Sequence, residues 1–135
     1  MTQLLNIRIV SFGFKYGSPV QSNLLYDVRF VKNPYYEETL RPLTGADKPV
    51  ADFILGQAVS RRFLRQLKLQ LRDALRGYLE HGHDHETVVI AFGCTGGKHR
   101  SVCFALQCKR IVRDLSRELS ISPKVAVLHR DLGRE

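Results

Sequence analysis

The chain has 135 residues, a length that fits one domain with a single hydrophobic core. Its hydrophobic fraction of 44% and charged fraction of 25% are those of an ordinary globular protein. No apolar run approaches the roughly 20 residues that cross a bilayer, so no membrane partner is expected. The net charge of +8 favours anionic partners such as phosphates, nucleotides or RNA, and is equally compatible with a generally basic surface.

The N-terminus and the cysteines predict a cytoplasmic protein. No basic segment followed by a long apolar one marks a signal peptide. The cysteines, Cys94, Cys103 and Cys108, are odd in number and form no C-x-x-C pair, as expected for a reducing compartment.

The first half of the chain predicts two strands and a long loop. A strand at residues 7–12 leads into a glycine-bounded loop at 13–19. A second strand is predicted at 24–30, with Asp27 and Arg29 at alternate positions and therefore on one face. Residues 32–48 are predicted to form an ordered loop, and a short helix follows from Asp47 or Lys48 to about Gly56.

The second half predicts two long helices and two strands. One helix spans residues 60–79, with an apolar stripe and with Ser60 as its N-cap. The histidine-rich turn at 81–85 is interpreted as solvated rather than as a metal site, because no cysteine or suitably spaced carboxylate completes a zinc pattern. A strand at 88–92, a helix with apolar positions from 102 to 119 and a strand at 125–128 follow.

These elements predict an α/β fold, a single domain with a small and mostly parallel sheet flanked by helices. The direction of the second strand stays open, because only about a dozen residues join it to the first. Ligands bind beyond the carboxyl ends of strands in such sheets. This rule gathers residues 13–18, the residues after Asp27 and the turn after the third strand into one crevice, within reach of His129 and Arg130.

The turn at residues 94–100, called the glycine turn below, is the strongest functional signal. It joins a buried strand to a helix N-terminus, where backbone amides lack intrahelical partners and the helix dipole is positive. Its glycines allow a ligand to approach the backbone, and its basic residues add donors or charge. The turn predicts a phosphate cradle. The residues that form it are Thr95, Gly96, Gly97, Lys98, His99 and Arg100.

The same turn fits the C-x5-R pattern of cysteine-dependent phosphatases, which gives an enzymatic alternative. Cys94 would attack phosphorus as a thiolate, and Arg100 would hold two phosphate oxygens. Asp27 or Asp47 would protonate the leaving group. Gly93 stands where such enzymes commonly carry histidine, and Cys94 equally fits a small residue that fills the end of a strand. A non-enzymatic role without cofactor or metal is the leading hypothesis.

Charged residues outside the glycine turn have two interpretations each. Asp27 and Arg29 fit either a simple ion pair or a ligand contact, and Lys15 with Tyr16 would add a cation and an aromatic wall to the crevice. The helix at 60–79 carries a basic stripe, which fits either a nucleic-acid backbone or a solvated face. The residues of this basic stripe are Arg61, Arg65, Lys68, Arg72 and Arg76.

Four motifs resemble, in the same order, the C-terminal domain of the RapZ family. They lie at residues 11–17, 27–36, 40–45 and 93–102, and the last reads GCTGGKHRSV. The resemblance covers nearly the whole chain. It implies a fold similar to a phosphofructokinase subdomain and a pocket for a phosphorylated amino sugar or nucleotide sugar, such as glucosamine 6-phosphate or UDP-N-acetylglucosamine. In some members this domain also binds small regulatory RNA and helps form an oligomer.

The resemblance implies a non-catalytic sensor or adapter domain at residues 1–135, with RNA, a protein partner or a second copy as further partners. Typical members begin with a P-loop ATPase domain, whereas this chain starts at the second domain, so no ATP site is expected. Tyr35 stands where some members have histidine. The implied ligand-binding residues are Lys15, Asp27, Arg29, Cys94, Thr95, Gly96, Gly97, His99 and Arg100, to which the phosphate-cradle argument adds Lys98.

Overall fold

The computed structural model describes residues 5–19, 21–81 and 87–134. It is the predicted α/β domain, with a four-stranded sheet in the order β2-β3-β1-β4 and helices flanking it. All strand pairs are parallel, which settles the direction of the second strand. The elements are β1 (Asn6–Gly13), β2 (Leu24–Asp27), α1 (Lys48–Leu55), α2 (Ala58–His81), β3 (Thr87–Cys94), α3 (Arg100–Glu118) and β4 (Lys124–His129).

The main hydrophobic core lies between the helices and one face of the sheet. Ile7 and Ile9 of the central strand β1 are buried there. They share this core with Leu67, Leu71 and Leu75 of α2, whose spacing of four residues forms the predicted apolar stripe. The opposite sheet face carries a smaller cluster built around Val10, Phe12 and Ala91.

β2 is shorter than predicted, because the side chain of its last residue ends it. Asp27 Oδ1 accepts a hydrogen bond of 3.0 Å from the amide of Arg29, which bends the chain as an Asx turn. The prediction of a strand to residue 30 was therefore wrong. Asp27 and Arg29 do not share a strand face but meet around this turn.

α2 also begins earlier than predicted, at Ala58. Ser60 is therefore not its N-cap but a fully buried residue of its first turn. The loop at residues 32–48 is ordered and contains a short 3-10 helix at Pro34–Tyr36. Within the described ranges, none of the helices combines the length and apolarity that crossing a membrane requires.

Only the first residue of the predicted histidine turn lies within the described residues. His81 is the exposed last residue of α2, and residues 82–85 lie outside the described residues. Among the residues that are described, no three histidine, cysteine or carboxylate side chains are grouped so as to hold a metal ion.

Candidate functional site

The loops after β1 and β2 are attached to the end of β3. The amide of Lys15 donates to the carbonyl of Thr95 at 3.3 Å, and the amide of Val28 donates to the carbonyl of Gly93 at 2.9 Å. Because the strands are parallel, their carboxyl ends meet here, and they form the crevice that the strand order predicts.

The path of the glycine turn depends on direct backbone contact with the end of β1. A Cβ on Gly13 would lie 2.5 Å from the carbonyl carbon of Gly96. Gly97 has a φ of +77°, and a Cβ there would lie 2.7 Å from the nitrogen of Gly13. No larger residue fits either position without a shift of the backbone, so the glycines fix where the turn lies.

The amides of the glycine turn are not used by the protein itself. None of the backbone nitrogens from Thr95 to His99 donates a hydrogen bond to any other residue in the described part of the chain. They precede α3, which begins at Arg100 and extends for 19 residues. The positive end of the helix dipole and unpaired donors therefore coincide, as the phosphate-cradle prediction requires.

A pocket of about 420 Å³ opens at this turn, a volume within the range of small-molecule sites. Seven of the ten predicted ligand-binding residues line it, whereas Asp27, Arg29 and Gly97 do not. Its other walls come from the N-P-Y-Y segment, none of whose residues was predicted to bind a ligand. The lining residues are Lys15, Asn33, Tyr35, Tyr36, Cys94, Thr95, Gly96, Lys98, His99 and Arg100.

Arg100 mainly holds the loop after β2 and is not a free two-pronged clamp. Its Nη1 donates hydrogen bonds of 2.9 Å to the carbonyls of Arg29 and Val31. Its Nη2 reaches Thr95 Oγ1 at 3.5 Å, which leaves this nitrogen at the pocket wall. The side chain is 5% exposed, and burial lowers the pKa of the guanidinium.

Lys98 and His99 connect the glycine turn to the loop at residues 40–43. Lys98 Nζ donates to the carbonyl of Arg41 at 3.0 Å. The buried His99 ring faces the carbonyls of Leu40, Arg41 and Leu43, which raise its pKa. Burial and the charge of Lys98 outweigh them and hold the pKa of His99 below its ordinary 6.5. His99 is therefore neutral at pH 7 and adds no positive charge to the pocket.

Both carboxylates that the phosphatase alternative names are engaged by other groups of the protein. Arg29 donates to both carboxylate oxygens of Asp27, at 2.9 and 2.7 Å, and these hydrogen bonds lower the pKa of Asp27. Asp47 Oδ2 accepts from the amide of Thr44 at 2.8 Å. Neither carboxylate lines the pocket. Cys94 is 3% exposed, and its Sγ donates to Ser101 Oγ at 3.1 Å.

The basic stripe is partly occupied by contacts within the domain. Arg61 donates to the carbonyls at the end of α1, at 2.8 and 3.2 Å. Arg72 pairs with Glu118 of α3 through hydrogen bonds of 2.9 and 3.0 Å. Arg65 and Arg76 are exposed, and Lys68 is half-buried. The stripe therefore offers fewer accessible cations than its sequence pattern predicts.

The last residue of β4 and the residues that follow it contact the loop and strand next to the crevice and do not line the pocket. His129 Nδ1 is hydrogen-bonded to Ser11 Oγ at 2.7 Å, and Arg130 donates to the carbonyls of Tyr16 and Gly17. Asp131, which the sequence argument missed, is 1% exposed and contacts the end of β1. An acidic residue directly after a strand end was the available signal.

The comparison with known proteins agrees with the four motifs. A family model described as the RapZ C-terminal domain matches residues 5–133. The chain is 44% identical to a nucleotide-binding protein of Clavibacter michiganensis subsp. michiganensis, 45% to one of Pseudarthrobacter chlorophenolicus and 42% to one of Lactobacillus acidophilus. The matches cover 97%, 97% and 98% of this chain but 43%, 40% and 42% of those proteins, so it spans about two fifths of their length. The chain belongs to the family of the RapZ C-terminal domain.

Proposed function

We propose that this domain is a non-catalytic sensor or adapter that binds a phosphorylated amino sugar or nucleotide sugar at the glycine turn. The observation that carries the proposal is the set of unpaired amides from Thr95 to His99 beside a pocket of about 420 Å³. Glucosamine 6-phosphate and UDP-N-acetylglucosamine are ligands of this type, and both carry phosphate oxygens that such amides can bind. The relatives named as nucleotide-binding proteins support a ligand of nucleotide type.

The phosphate would be held by several donors at once. The amides of the turn would donate to its oxygens at the N-terminus of α3, where the helix dipole favours negative charge. Lys15 and Lys98 line the same pocket and add positive charge, and the exposed Thr95 hydroxyl adds a donor. Hydrogen bonds to an ionised phosphate are about twice as strong as those between neutral groups, so these contacts would supply most of the affinity.

We propose binding without phosphate hydrolysis because Asp27 does not offer a proton to a leaving group. Cleavage of a phosphate ester needs a group that protonates the leaving oxygen. The carboxylate of Asp27 is engaged by Arg29 and has a lowered pKa, so at neutral pH it is ionised and has no proton to give. Binding without turnover is the function that this arrangement serves best.

Isothermal titration with glucosamine 6-phosphate and with UDP-N-acetylglucosamine tests the proposal. Lys98→Ala removes a cation from the pocket wall, and we expect affinity to fall at least tenfold, since a hydrogen bond to a charged group contributes about 1.5–3 kcal/mol. Lys124→Ala is the matched control, because this exposed lysine begins β4 at the other end of the sheet. Failure of both ligands to bind, or equal losses in the two variants, would overturn the proposal.

A further inference from the structure

We infer that the pocket takes a nucleotide, with its phosphates on the glycine turn and its base stacked on the ring pair of Tyr35 and Tyr36. The inference rests on the proposed function, because it names the ligand class of the same site. It makes these tyrosines specificity-determining residues, because contacts to phosphate alone do not distinguish a nucleotide from a sugar phosphate.

The pocket has two chemically different ends. One end is the glycine turn, with unpaired amides and Lys98. The other is formed by Tyr35 and Tyr36, which are 49% and 77% exposed. Single exposed aromatic side chains are normal on a protein surface, but here two adjacent rings stand in the wall of an anion site. A ligand that uses both ends carries a phosphate and a planar ring.

The Tyr35 ring is held in place before any ligand arrives, and the Tyr36 ring packs against it. Their centroids are 5.8 Å apart and their planes meet at 86°, so they form a corner. The guanidinium of Arg41 lies 4.8 Å from the centre of the Tyr35 ring, and its Nε donates to the Tyr35 carbonyl at 2.9 Å. Asn33 Oδ1 accepts from the Tyr35 amide at 3.1 Å, and Pro34 is buried. Preset rings cost little entropy on binding.

The aromatic corner is joined directly to the anion-binding end. Lys98 belongs to the glycine turn, and its Nζ donates to the carbonyl of Arg41, whose guanidinium covers Tyr35. One hydrogen bond and one cation–π contact therefore connect the phosphate end to the ring pair, and the two ends form one site.

A nucleobase fits this corner better than a sugar ring does. A base stacked on one tyrosine would present its edge to the other, the edge-to-face arrangement that aromatic groups favour. Stacking of a base on an aromatic side chain is sequence-tolerant and contributes measurably to affinity. A hexose ring packs on an aromatic face only through its C–H groups and leaves its hydroxyls to find polar partners elsewhere.

Tyrosine fluorescence and calorimetry with UDP, ADP and glucosamine 6-phosphate test the inference. The chain has no tryptophan and five tyrosines, so quenching by a stacked base is directly visible. We expect UDP or ADP to quench the emission, and Tyr36→Ala or Tyr35→Ala to weaken that nucleotide about five- to tenfold. Glucosamine 6-phosphate should bind the same variants within about twofold of wild type, and Tyr36→Phe should restore nucleotide binding.

Phe30→Ala is the matched control, because Phe30 is as exposed as Tyr35, at 49%, but lies outside the pocket. If both alanine variants bind the nucleotides as well as wild type does, or lose affinity for glucosamine 6-phosphate equally, the inference is wrong. If glucosamine 6-phosphate binds in a Lys98-dependent manner while neither nucleotide binds, the inference fails and the proposed function stands. If no phosphate ligand binds, both fail.

Discussion

Asp131 Oδ2 lies 2.7 Å from the backbone nitrogen of Gly13 and accepts its hydrogen. The same buried carboxylate accepts from Arg130 and Arg134. Burial raises the pKa of Asp131, but the hydrogen bonds from Arg130, Gly13 and Arg134 together leave it lowered. A Cβ on Gly97 would lie 3.1 Å from the Asp131 Cβ, so the side chain whose carboxylate supports the end of β1 also lies next to the glycine turn.

Asp131→Ala is expected to lower the free energy of unfolding by about 3 kcal/mol. The variant leaves the Gly13 amide buried without an acceptor and Arg130 without its carboxylate. Asp131→Asn keeps an acceptor for Gly13, so its loss should be smaller. Urea denaturation measures both variants. A loss below about 1 kcal/mol in Asp131→Ala would show that the contact does not hold the crevice together.

Gly13→Ala should displace the glycine turn and weaken phosphate binding. The new Cβ would lie 2.5 Å from the Gly96 carbonyl carbon, and backbone has to move to relieve that contact. Gly77→Ala in α2 is the control, because a Cβ there meets nothing within 4 Å. It should stabilise the helix by up to about 1 kcal/mol. Calorimetric titration and thermal unfolding of both variants give the comparison, and unchanged binding in Gly13→Ala would refute the steric argument.

Stability should fall as the pH drops below about 6.5. Burial lowers the pKa of His99 and of His129 from the ordinary 6.5, so in this range the unfolded chain binds protons that the folded protein does not. The free energy of unfolding is then independent of these histidines above pH 7 and decreases towards their folded pKa values. Urea denaturation at several pH values between about 5 and 8 measures the slope. The double variant His99→Gln, His129→Gln should flatten it, and a slope equal to wild type would contradict the assignment.

Cys94→Ser tests the enzymatic alternative. We expect neither wild type nor the variant to hydrolyse an aryl phosphate, because Cys94 is 3% exposed and its thiol is hydrogen-bonded to Ser101. Phosphate-ligand affinity should change little, because serine keeps a hydrogen-bonding group next to Ser101. Saturable turnover by wild type that disappears in Cys94→Ser would establish the phosphatase instead.

RNA binding by the basic stripe remains a prediction, and the dependence of RNA affinity on salt concentration tests it. If the stripe follows an RNA backbone, affinity falls steeply with salt, and Arg65→Ala or Arg76→Ala each reduces the slope by about one. Arg72→Ala should have a smaller effect, because that guanidinium is already paired with Glu118. Filter binding at several salt concentrations decides this, and affinity that is absent or insensitive to salt excludes the stripe.

The sequence predicted the mostly parallel sheet and the position of the glycine turn because both depend on local patterns. Apolar runs identified β1, β3 and β4, and the strand-to-helix junction placed the glycine turn at a helix N-terminus. The end of β2 was missed because one Asp27 oxygen, rather than hydrophobicity, terminates that strand.

The partners of Lys98 and Arg100 were not predictable, because they lie far away in sequence. Arg100 is bonded to carbonyls 69 and 71 residues earlier, and burial of His99 removes a charge that its residue type suggested. Tyr36 and Asp131 are recognisable as neighbours of the site only in the folded chain. There the N-P-Y-Y segment and the residues after β4 lie next to the glycine turn.

The central position of β1 has a consequence for how the domain forms. Its neighbours in the sheet are β3 and β4, and its Ser11 pairs with a residue 118 positions later. The first strand therefore acquires both partners only once β4 has been synthesised, more than 100 residues later, and such non-local pairing is intrinsically slow. A chain that ended before Lys124 would lack β4 and leave one edge of β1 open, whatever happens to the glycine turn itself.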